Sequence, residues 1–286
     1  MPIDLQTALG AELPAREFSW TATDVQLYHL GLGAGARYTQ AAELRYLADG
    51  TPQVLPTFAT VAPTLGETEP PRVSFPGIEI DLAKVVHGHQ EIEVHRPIPA
   101  AGKATSTGRI SEIWDKGANA VIVQEHTVVG SDGAPLWTAR SSIFARGEGG
   151  FGGERGPGGK TALPERAPDA KLLTPTLPQQ ALLYRLCGDR NPLHSDPEFA
   201  KGAGFPAPIL HGLCTYGTVC KAITDALLDS DAAKVAGFRA KFAGVLYPGE
   251  TLHIKVWREG DQLIGAVTVA ERDDAPVLSD VVLRVA

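Results

Sequence analysis

The sequence contains few cysteines and no excess of basic residues. Its three cysteines, Cys187, Cys214 and Cys220, form neither a CxxC pair nor an even set that could close disulfides, which favours a reducing compartment. The 26 basic residues are outnumbered by 33 acidic ones, and the net charge of -7 comes with no basic run that could follow a phosphate backbone. A nucleic acid is therefore not expected as a partner.

Long apolar stretches are missing as well. No run approaches the roughly 20 residues that a membrane-spanning helix needs. The first residues, MPIDLQTALG, have neither the basic start nor the apolar core of a signal peptide, and the last residues, LRVA, are not an SKL-type peroxisomal address. We therefore expect a cytoplasmic protein without a membrane partner.

Glycine and proline, by contrast, are concentrated in one stretch. The hydrophobic content of 43% is enough for one large domain or two ordinary ones. The segment GEGGFGGERGPGGK and the following TALPERAPDA are too rich in Gly and Pro for a helix or a central strand. They predict a linker over residues 147–170, between an N-terminal unit of residues 1–146 and a C-terminal unit of residues 171–286.

Each unit ends in strand-like segments, in which polar and apolar residues alternate. These segments are HQEIEVHR, ATSTGRISEIW, NAVIVQEHTVV and PLWTARSSIFAR in the first unit, and TLHIKVWRE, QLIGAVTVAE and PVLSDVVLRVA in the second. Residues 96–145 can be aligned with residues 244–286, and VHG at Val86 to Gly88 echoes LHG at Leu210 to Gly212. The pattern predicts an internal duplication.

The two units differ after their HG dipeptides. After His211 and Gly212 the chain predicts a helix with one apolar face, formed by Ile209, Leu213, Tyr216, Cys220, Ile223 and Leu227. After His87 and Gly88 it passes directly into a strand-like segment. We predict an α+β fold of two curved antiparallel sheets around a central helix, with that helix shortened or missing in the N-terminal repeat. The space left there predicts an apolar cavity or tunnel. A second helix, at DVQLYHLGLGA, is predicted from the capping box before it.

The loop YRLCGDRNPLHSDPEFA holds an Asp, an Asn and a His within six residues. Asn-Pro and Asp-rich stretches form ordinary turns, so a surface loop is one interpretation. The apolar residues on either side favour a loop held against the core, in which Asp189 and His194 converge on one water as an acid/base pair. The amide of Gly212, at the start of the predicted helix, is positioned to hold a carbonyl oxygen that gains negative charge.

Other motifs favour structural interpretations. GLGAGA, at residues 31–36, follows a helix rather than a strand, and GPGGKT lacks the first glycine of a phosphate loop. His194, Asp196 and His211 match a metal site only weakly, because the rest of the ligand shell is not identified, so no metal is predicted. Cys187 has no basic partner at a defined spacing and is interpreted as a packing residue.

The loop resembles the hydratase motif of the R-specific (type 2) enoyl-CoA hydratases, which are MaoC-like hot-dog proteins. The motif reads aromatic, small residue, G-D-x-N-P-aliphatic-H, and a further small residue after five others. The matching positions are Tyr184, Cys187, Gly188, Asp189, Asn191, Pro192, Leu193, His194 and Ala200. The resemblance covers nearly the whole chain, including VVHGHQEIEVHRPIPAAGK and FAGVLYPGETLHIKVW, and extends to the hydratase domain of peroxisomal multifunctional enzyme type 2.

The resemblance implies a double hot-dog fold and reversible hydration of a trans-2-enoyl-CoA to an (R)-3-hydroxyacyl-CoA, in fatty acid or related lipid metabolism. The C-terminal repeat would carry the active loop, and the degenerate N-terminal repeat would receive the acyl tail. No cofactor is implied, and the family commonly forms homodimers.

The resemblance also implies roles for individual positions. Asp189 and His194 would activate water, Asn191 would orient it, and the Gly212 amide would polarise the thioester carbonyl. Contacts with the acyl-CoA are implied for four further residues, namely His87, Gly88, Lys116 and Phe242. Asp49 stands where the multifunctional enzymes carry a Glu, and this departure leaves its role open.

Two other functions fit the same sequence. A hot-dog thioesterase would direct water at the thioester carbon instead of C3, although the complete G-D-x-N-P-L-H pattern favours a hydratase. A non-catalytic acyl-CoA-binding subunit is the second alternative, and the presence of every polar member of the motif argues against it. The direction of the reaction, the acyl chain length and the choice between CoA and an acyl carrier protein stay open.

Overall fold

Ten antiparallel strands form one continuous sheet. The computed structural model describes residues 3–70, 75–80, 85–158 and 161–286. The strands are β1 (Glu12–Trp20), β2 (Val85–Val94), β3 (Gly102–Asp115), β4 (Ala120–Gly130), β5 (Pro135–Ala145), β6 (Ala170–Pro175), β7 (Val235–Phe242), β8 (Thr251–Glu259), β9 (Gln262–Val269) and β10 (Ala275–Val285). Their order across the sheet is β1-β3-β4-β5-β2-β7-β10-β9-β8-β6.

This strand order repeats itself about the β2 and β7 pair. Outward from the pair, β5, β4, β3 and β1 on one side match β10, β9, β8 and β6 on the other. At the junction Glu91 lies opposite Arg239 and Ile92 opposite Phe238. The two repeats therefore share one sheet, and their equivalent strands follow from the duplication in the sequence.

The predicted equivalence of VHG and LHG is wrong. Val86 to Gly88 lies inside β2, whose counterpart in the second repeat is β7. Gly88 marks a β-bulge, because the register with β5 shifts between His87 and His89. A Cβ atom on Gly88 would lie 2.9 Å from the Ser142 hydroxyl, so the glycine permits a close approach between strands rather than a turn into a helix.

In the described part of the chain, six α-helices accompany the sheet. They are α1 (Leu5–Ala8), α2 (Ala22–Gly31), α3 (Ala41–Leu44), α4 (Gln180–Tyr184), α5 (Pro197–Gly202) and α6 (Gly212–Leu227). The predicted capping box starts α2, with the Thr21 side chain and the Asp24 side chain each accepting the other's backbone N–H. Within the described residues, none of the helices has the length and apolar character needed to cross a membrane.

The long helix α6 is the central helix, and it is buried on more than one face. The predicted stripe was too narrow, since Cys214, Thr218 and Val219 are also buried. Ile209 lies before the helix instead of on its stripe. The added burial arises because α2 packs on α6 away from the sheet: the Cys214 thiol donates to the Gly31 carbonyl at 3.3 Å.

The N-terminal repeat holds only short helical segments between β1 and β2. In the residues described there, α2 and α3 are followed by 3-10 turns at Arg45–Leu47, Pro56–Thr60 and Ala62–Thr64. The shortened helix is therefore confirmed. The side chain of Phe58 is fully buried, with its ring centroid 6.3 Å from that of Trp20, so aromatic rings fill part of the space beneath this half of the sheet. The predicted cavity stays a prediction.

The Gly-rich stretch after β5 lies against the hairpin between β3 and β4. The buried Asp115 carboxylate accepts N–H groups from Gly117, Gly150 and Gly152 at 2.8, 3.0 and 2.8 Å. These hydrogen bonds hold the pKa of Asp115 below its ordinary value. Residues 159–160, at the end of GPGGK, lie outside the described residues. The linker is thus fixed to the N-terminal repeat along part of its length.

All three cysteines are buried free thiols. Burial raises the pKa of Cys187 to about 12, so the unreactive thiol is its form at neutral pH. This agrees with its interpretation as a packing residue.

Candidate active site

The loop with the hydratase motif begins at Gly188, where the backbone turns sharply. Gly188 has φ 108°, in the left-handed region. A Cβ atom there would lie 1.9 Å from the Thr64 carbonyl oxygen, so no other residue fits without moving the backbone. The backbone conformation of Gly188 therefore determines the direction in which the chain continues to Asp189.

Two short hydrogen bonds then fold the loop back on itself. The Asp189 carboxylate accepts the Asn191 backbone N–H at 3.1 Å, and the Asn191 side-chain oxygen accepts the Leu193 N–H at 3.0 Å. Pro192 starts a 3-10 turn that ends at His194. The loop is thus a turn, as one interpretation held, and the turn brings the acidic and basic side chains together, as the other held.

His194 is held in one tautomer. It is 8% exposed, and its Nδ1–H donates to the Ile209 carbonyl at 2.8 Å, which leaves Nε2 free to accept a proton. Burial lowers the pKa of His194 below its ordinary value, and the Asp189 carboxylate offsets part of this effect. At neutral pH the ring is therefore a neutral base beside a carboxylate.

A second histidine, for which no catalytic role was predicted, completes the cluster. The rings of His194 and His211 are stacked with centroids 3.7 Å apart. One nitrogen of each ring and a carboxylate oxygen of Asp189 lie within 4.8 Å of one another. Asp196, which the sequence grouped with these histidines as a weak metal site, instead caps α5 by accepting the Glu198 N–H at 2.9 Å.

The N-terminus of α6 lies next to this cluster. Gly212 is the first helical residue, so its N–H has no acceptor inside the helix and carries partial positive charge. A Cβ atom on Gly212 would lie 3.0 Å from the Phe242 ring. The absence of a side chain therefore lets Phe242 approach the helix terminus. An oxygen atom of a ligand placed there can accept a hydrogen bond from the Gly212 N–H.

Three of the predicted acyl-CoA contacts lie at the same place. Phe242 ends β7, and its ring centroid is 4.6 Å from that of His87 on β2. Gly88 follows in the bulge of β2. Burial lowers the pKa of His87 to about 4, so this ring is neutral at physiological pH. Both repeats therefore contribute to one site beside Gly212.

Lys116 lies apart from this group, on the hairpin between β3 and β4. Its Nζ donates to the Pro157 carbonyl at 3.0 Å and lies 5.1 Å from the centre of the Trp114 ring. The hairpin lies at the same end of the strands as the start of β2, because Ala145 of β5 is paired with both Ala120 and Val85. Lys116 thus lies at the same end of the strands as the start of β2, and its contacts are with Pro157 and Trp114.

Asp49 is exposed and lies away from the candidate site. It follows a turn whose Tyr46 hydroxyl donates to the Asp225 carboxylate at 2.8 Å. Asp225 is 13 residues after Gly212 on α6, which corresponds to about 20 Å along a helix. The structure therefore does not bring Asp49 into the acid/base cluster.

Fold and site together define a class of protein. An antiparallel sheet built from two equivalent halves with one long buried helix matches the double hot-dog architecture, and here Asp189 and His194 lie next to His211, the residue before that helix. Family models match both halves of the chain: the MFE-2 hydratase 2 N-terminal domain over residues 18–147 and the MaoC like domain over residues 160–276. The chain belongs to the MaoC-like hydratase 2 family.

Relatives and solved structures agree with this membership. Enoyl-CoA hydratase ChsH3 of Mycobacterium tuberculosis is 63% identical over 283 residues, which cover 99% of each chain. Peroxisomal multifunctional enzyme type 2 of Mus musculus is 36% identical over 94% of this chain and 37% of its own length. The crystal structure of a MaoC-like dehydratase from Phytophthora capsici superposes with a TM-score of 0.89 at 28% identity, covering 99% of this chain and 98% of that one.

Proposed function

We propose that the protein catalyses the reversible hydration of a trans-2-enoyl-CoA to an (R)-3-hydroxyacyl-CoA in lipid metabolism. It is a hydro-lyase of the enoyl-CoA hydratase 2 type. The observation that carries the proposal is the convergence of Asp189, His194 and the Gly212 amide on one small region. This arrangement supplies an acid, a base and an oxyanion donor, which are the three groups that addition of water to an enoyl thioester needs.

The mechanism begins with the thioester carbonyl. Its oxygen accepts the Gly212 N–H, and electron density then moves from the C2=C3 double bond toward that oxygen, which makes C3 electrophilic. One such donor contributes about 3 kcal/mol to transition-state stabilisation in comparable sites. Because the amide is held by the first turn of α6, no reorganisation is needed when charge develops.

Water then adds to C3. Its oxygen forms the new C3–O bond while one of its protons passes to the Asp189 and His194 pair, and the pair delivers a proton to C2. The free Nε2 of His194 and the second carboxylate oxygen of Asp189 are the acceptors that the loop leaves available. The side-chain NH2 group of Asn191 donates to the water and orients it, because the side-chain oxygen already accepts the Leu193 N–H. The sum is addition of one water without oxidation or reduction.

Substrate binding is divided between the repeats in this proposal. His87, Gly88 and Phe242 contact the acyl thioester, because they lie beside the Gly212 amide at the junction of β2 and β7. Lys116 pairs with a phosphate of CoA. The N-terminal repeat, residues 1–146, receives the acyl tail, and the C-terminal repeat, residues 171–286, carries out the chemistry.

One assay tests the proposal. The protein is incubated with crotonyl-CoA while enoyl absorbance and free thiol are followed together. Loss of absorbance without thiol release, with (R)-3-hydroxybutyryl-CoA as the product, is the expected result. Release of thiol would instead identify the thioesterase, and no turnover on short, medium or long enoyl-CoA substrates would identify an acyl-CoA-binding subunit.

Location and assembly belong to the same proposal. We place the protein in the cytoplasm, which agrees with three cysteines that are all free, since disulfides are rare in reducing compartments. We also propose a homodimer, as the resemblance implies. Light scattering at the elution peak of a sizing column gives the mass of the assembly, and a monomer mass would contradict the homodimer.

A further inference from the structure

His211 has no role in the hydration steps, yet it touches both members of the acid/base pair. The residue is 1% exposed. Its ring is stacked on that of His194 at a centroid distance of 3.7 Å and an interplanar angle of 28°. Its Nε2–H donates to the backbone carbonyl of Asp189 at 3.3 Å. One side chain therefore contacts the face of the base and the backbone of the acid.

The backbone around His211 is fixed on both sides. The His211 carbonyl accepts the Thr215 N–H at 3.0 Å, within the first turn of α6. Two residues earlier, the Ile209 N–H donates to the Leu193 carbonyl at 3.3 Å, which ties the same segment to the catalytic loop. The backbone of His211 is thus held from both sides, directly before the Gly212 amide.

We propose that His211 is a positioning residue, which sets the orientation of the His194 ring and of the Asp189 backbone so that the pair faces the water beside the Gly212 amide. The inference rests on the proposed hydration and deepens it. The stacked ring prevents the His194 imidazole from tilting, and the hydrogen bond to Asp189 keeps the loop closed. Loss of this alignment reduces turnover even when every catalytic group is present.

Electrostatics favour this role for a histidine that stays neutral. The charged and titratable groups around the two rings are the Asp189 carboxylate, the Arg185 guanidinium and the Tyr184 phenol. Burial lowers the pKa of His211 well below its ordinary value, and His194 and Arg185 lower it further. When His194 takes the proton from water, the stack therefore holds one positive charge instead of two.

Two substitutions separate the contacts of His211. His211→Phe keeps a flat ring against His194 but removes the hydrogen bond to Asp189. His211→Gln keeps a donor of similar reach, because its amide nitrogen is about as far along the side chain as Nε2, but removes the stacked ring. We expect each variant to lower kcat by about tenfold or more, which corresponds to the loss of one well-placed interaction, while KM changes by less than threefold because the His211 side chain is buried.

A matched control distinguishes positioning from simple stability. His29 is also a fully buried neutral histidine, on α2, and its ring nitrogens bond to backbone groups of Tyr46 and Leu55. We expect His29→Phe to lower the unfolding temperature but to leave kcat of the folded enzyme within twofold of wild type. If the His211 variants behave like this control, His211 is a structural residue and the proposal is wrong.

A second measurement needs no substrate. The pKa of His194 is read from its ring signals in an NMR titration of the free protein. We expect His211→Gln to move this pKa up toward the ordinary value, because water reaches the uncovered ring, and to move the acid limb of kcat/KM to higher pH with it. An unchanged His194 pKa in this variant would overturn the proposal. A wild-type protein without hydratase activity would refute the proposed function alone, since the titration still decides the role of His211.

Discussion

The Phe242 ring of the C-terminal repeat lies 4.6 Å from the His87 imidazole of the N-terminal repeat. The same phenyl ring is the closest neighbour of the space where Gly212 would carry a side chain. Because β2 and β7 are paired along the centre of the sheet, the two rings meet next to the helix terminus that carries the exposed amide. The candidate active site therefore belongs to the junction of the repeats and not to one repeat alone.

The acid/base pair is tested by two substitutions that keep size and polarity. We expect Asp189→Asn and His194→Gln each to lower kcat by at least about a hundredfold, because each removes a group that transfers a proton in the transition state. Circular dichroism and acyl-CoA binding should change little. Asp196→Asn is the matched control, since Asn also caps helices well and Asp196 only caps α5; it should retain wild-type turnover. Near-wild-type hydration by either variant of the pair would contradict the assignment.

Gly188 is expected to tolerate no side chain. Gly188→Ala places a Cβ atom against the Thr64 carbonyl at a positive φ, so we expect the free energy of unfolding to fall by about 2 kcal/mol or more and turnover to be nearly lost. Urea unfolding and the hydratase assay measure both. Gly202→Ala, at the end of α5, is the control: its Cβ meets nothing within 4 Å, and stability should stay level or rise slightly. Equal behaviour of the two variants would count against this reading of the loop.

Lys116 is expected to act in binding. A cation that pairs with a CoA phosphate contributes similarly to the ground state and the transition state, so Lys116→Ala should raise KM for enoyl-CoA several-fold and leave kcat nearly unchanged. The increase should shrink at high salt. Lys103→Ala removes an exposed lysine from the opposite end of the same strand, β3, and should change neither constant. An unchanged KM for Lys116→Ala would rule out the phosphate contact.

His29 is expected to make stability depend on pH. Its Nδ1–H donates to the Tyr46 carbonyl at 3.0 Å and its Nε2 accepts the Leu55 N–H at 3.3 Å, so the folded state needs the neutral ring. Burial lowers its pKa to about 3, against an unfolded value of about 6.5. Between these values the unfolded chain binds a proton that the folded chain does not. The contribution of His29 to the free energy of unfolding therefore falls by about 1.4 kcal/mol per pH unit as pH drops through this window.

Urea unfolding at a series of pH values checks this expectation. The slope of the free energy of unfolding against pH, from about 6.5 downward, should be smaller for His29→Gln than for wild type, because the other histidines contribute equally to both proteins. Identical slopes would show that His29 is not the group responsible.

Some strands were not predicted because their residues obscure the alternating pattern. β1, β6 and β7 were not predicted, although the other seven were. β1 and β6 are the two edge strands of the sheet, and each contains a proline, which weakens the strand pattern in the sequence because proline has no backbone N–H to donate. β7 is the central strand beside β2; Phe238 and Ala240 are buried and Arg239 and Lys241 are exposed, but the small residues Ala236 and Gly237 shorten the alternating run. An alternating polar and apolar pattern identifies a strand with one buried and one solvent-exposed face. The pattern is hard to detect where prolines or small residues interrupt it, as in these three strands.

Only the part of the candidate site that lies in one short segment of the chain was predicted from the sequence. Asp189, Asn191 and His194 lie in one short loop, so their spacing in the sequence already implied proximity. The stacking of His211 on His194 depends on how the start of α6 meets that loop across 17 residues of chain, which no local pattern encodes. Its position directly before Gly212 was the available signal. The bulge at Gly88 was likewise misread, because a glycine in a strand and a glycine before a helix look alike in sequence.

The Gly-rich stretch that Asp115 holds against the first repeat also joins the two repeats in one chain. This covalent connection affects how the sequence of each repeat can evolve. Two identical single-repeat subunits would be encoded once, so any substitution in one copy would appear in the other, and loss of the long helix from one half would remove it from both. A covalent tether gives each half its own codons. One half can then lose its long helix while the other keeps it, and the shared sheet holds them in the geometry of a symmetric pair.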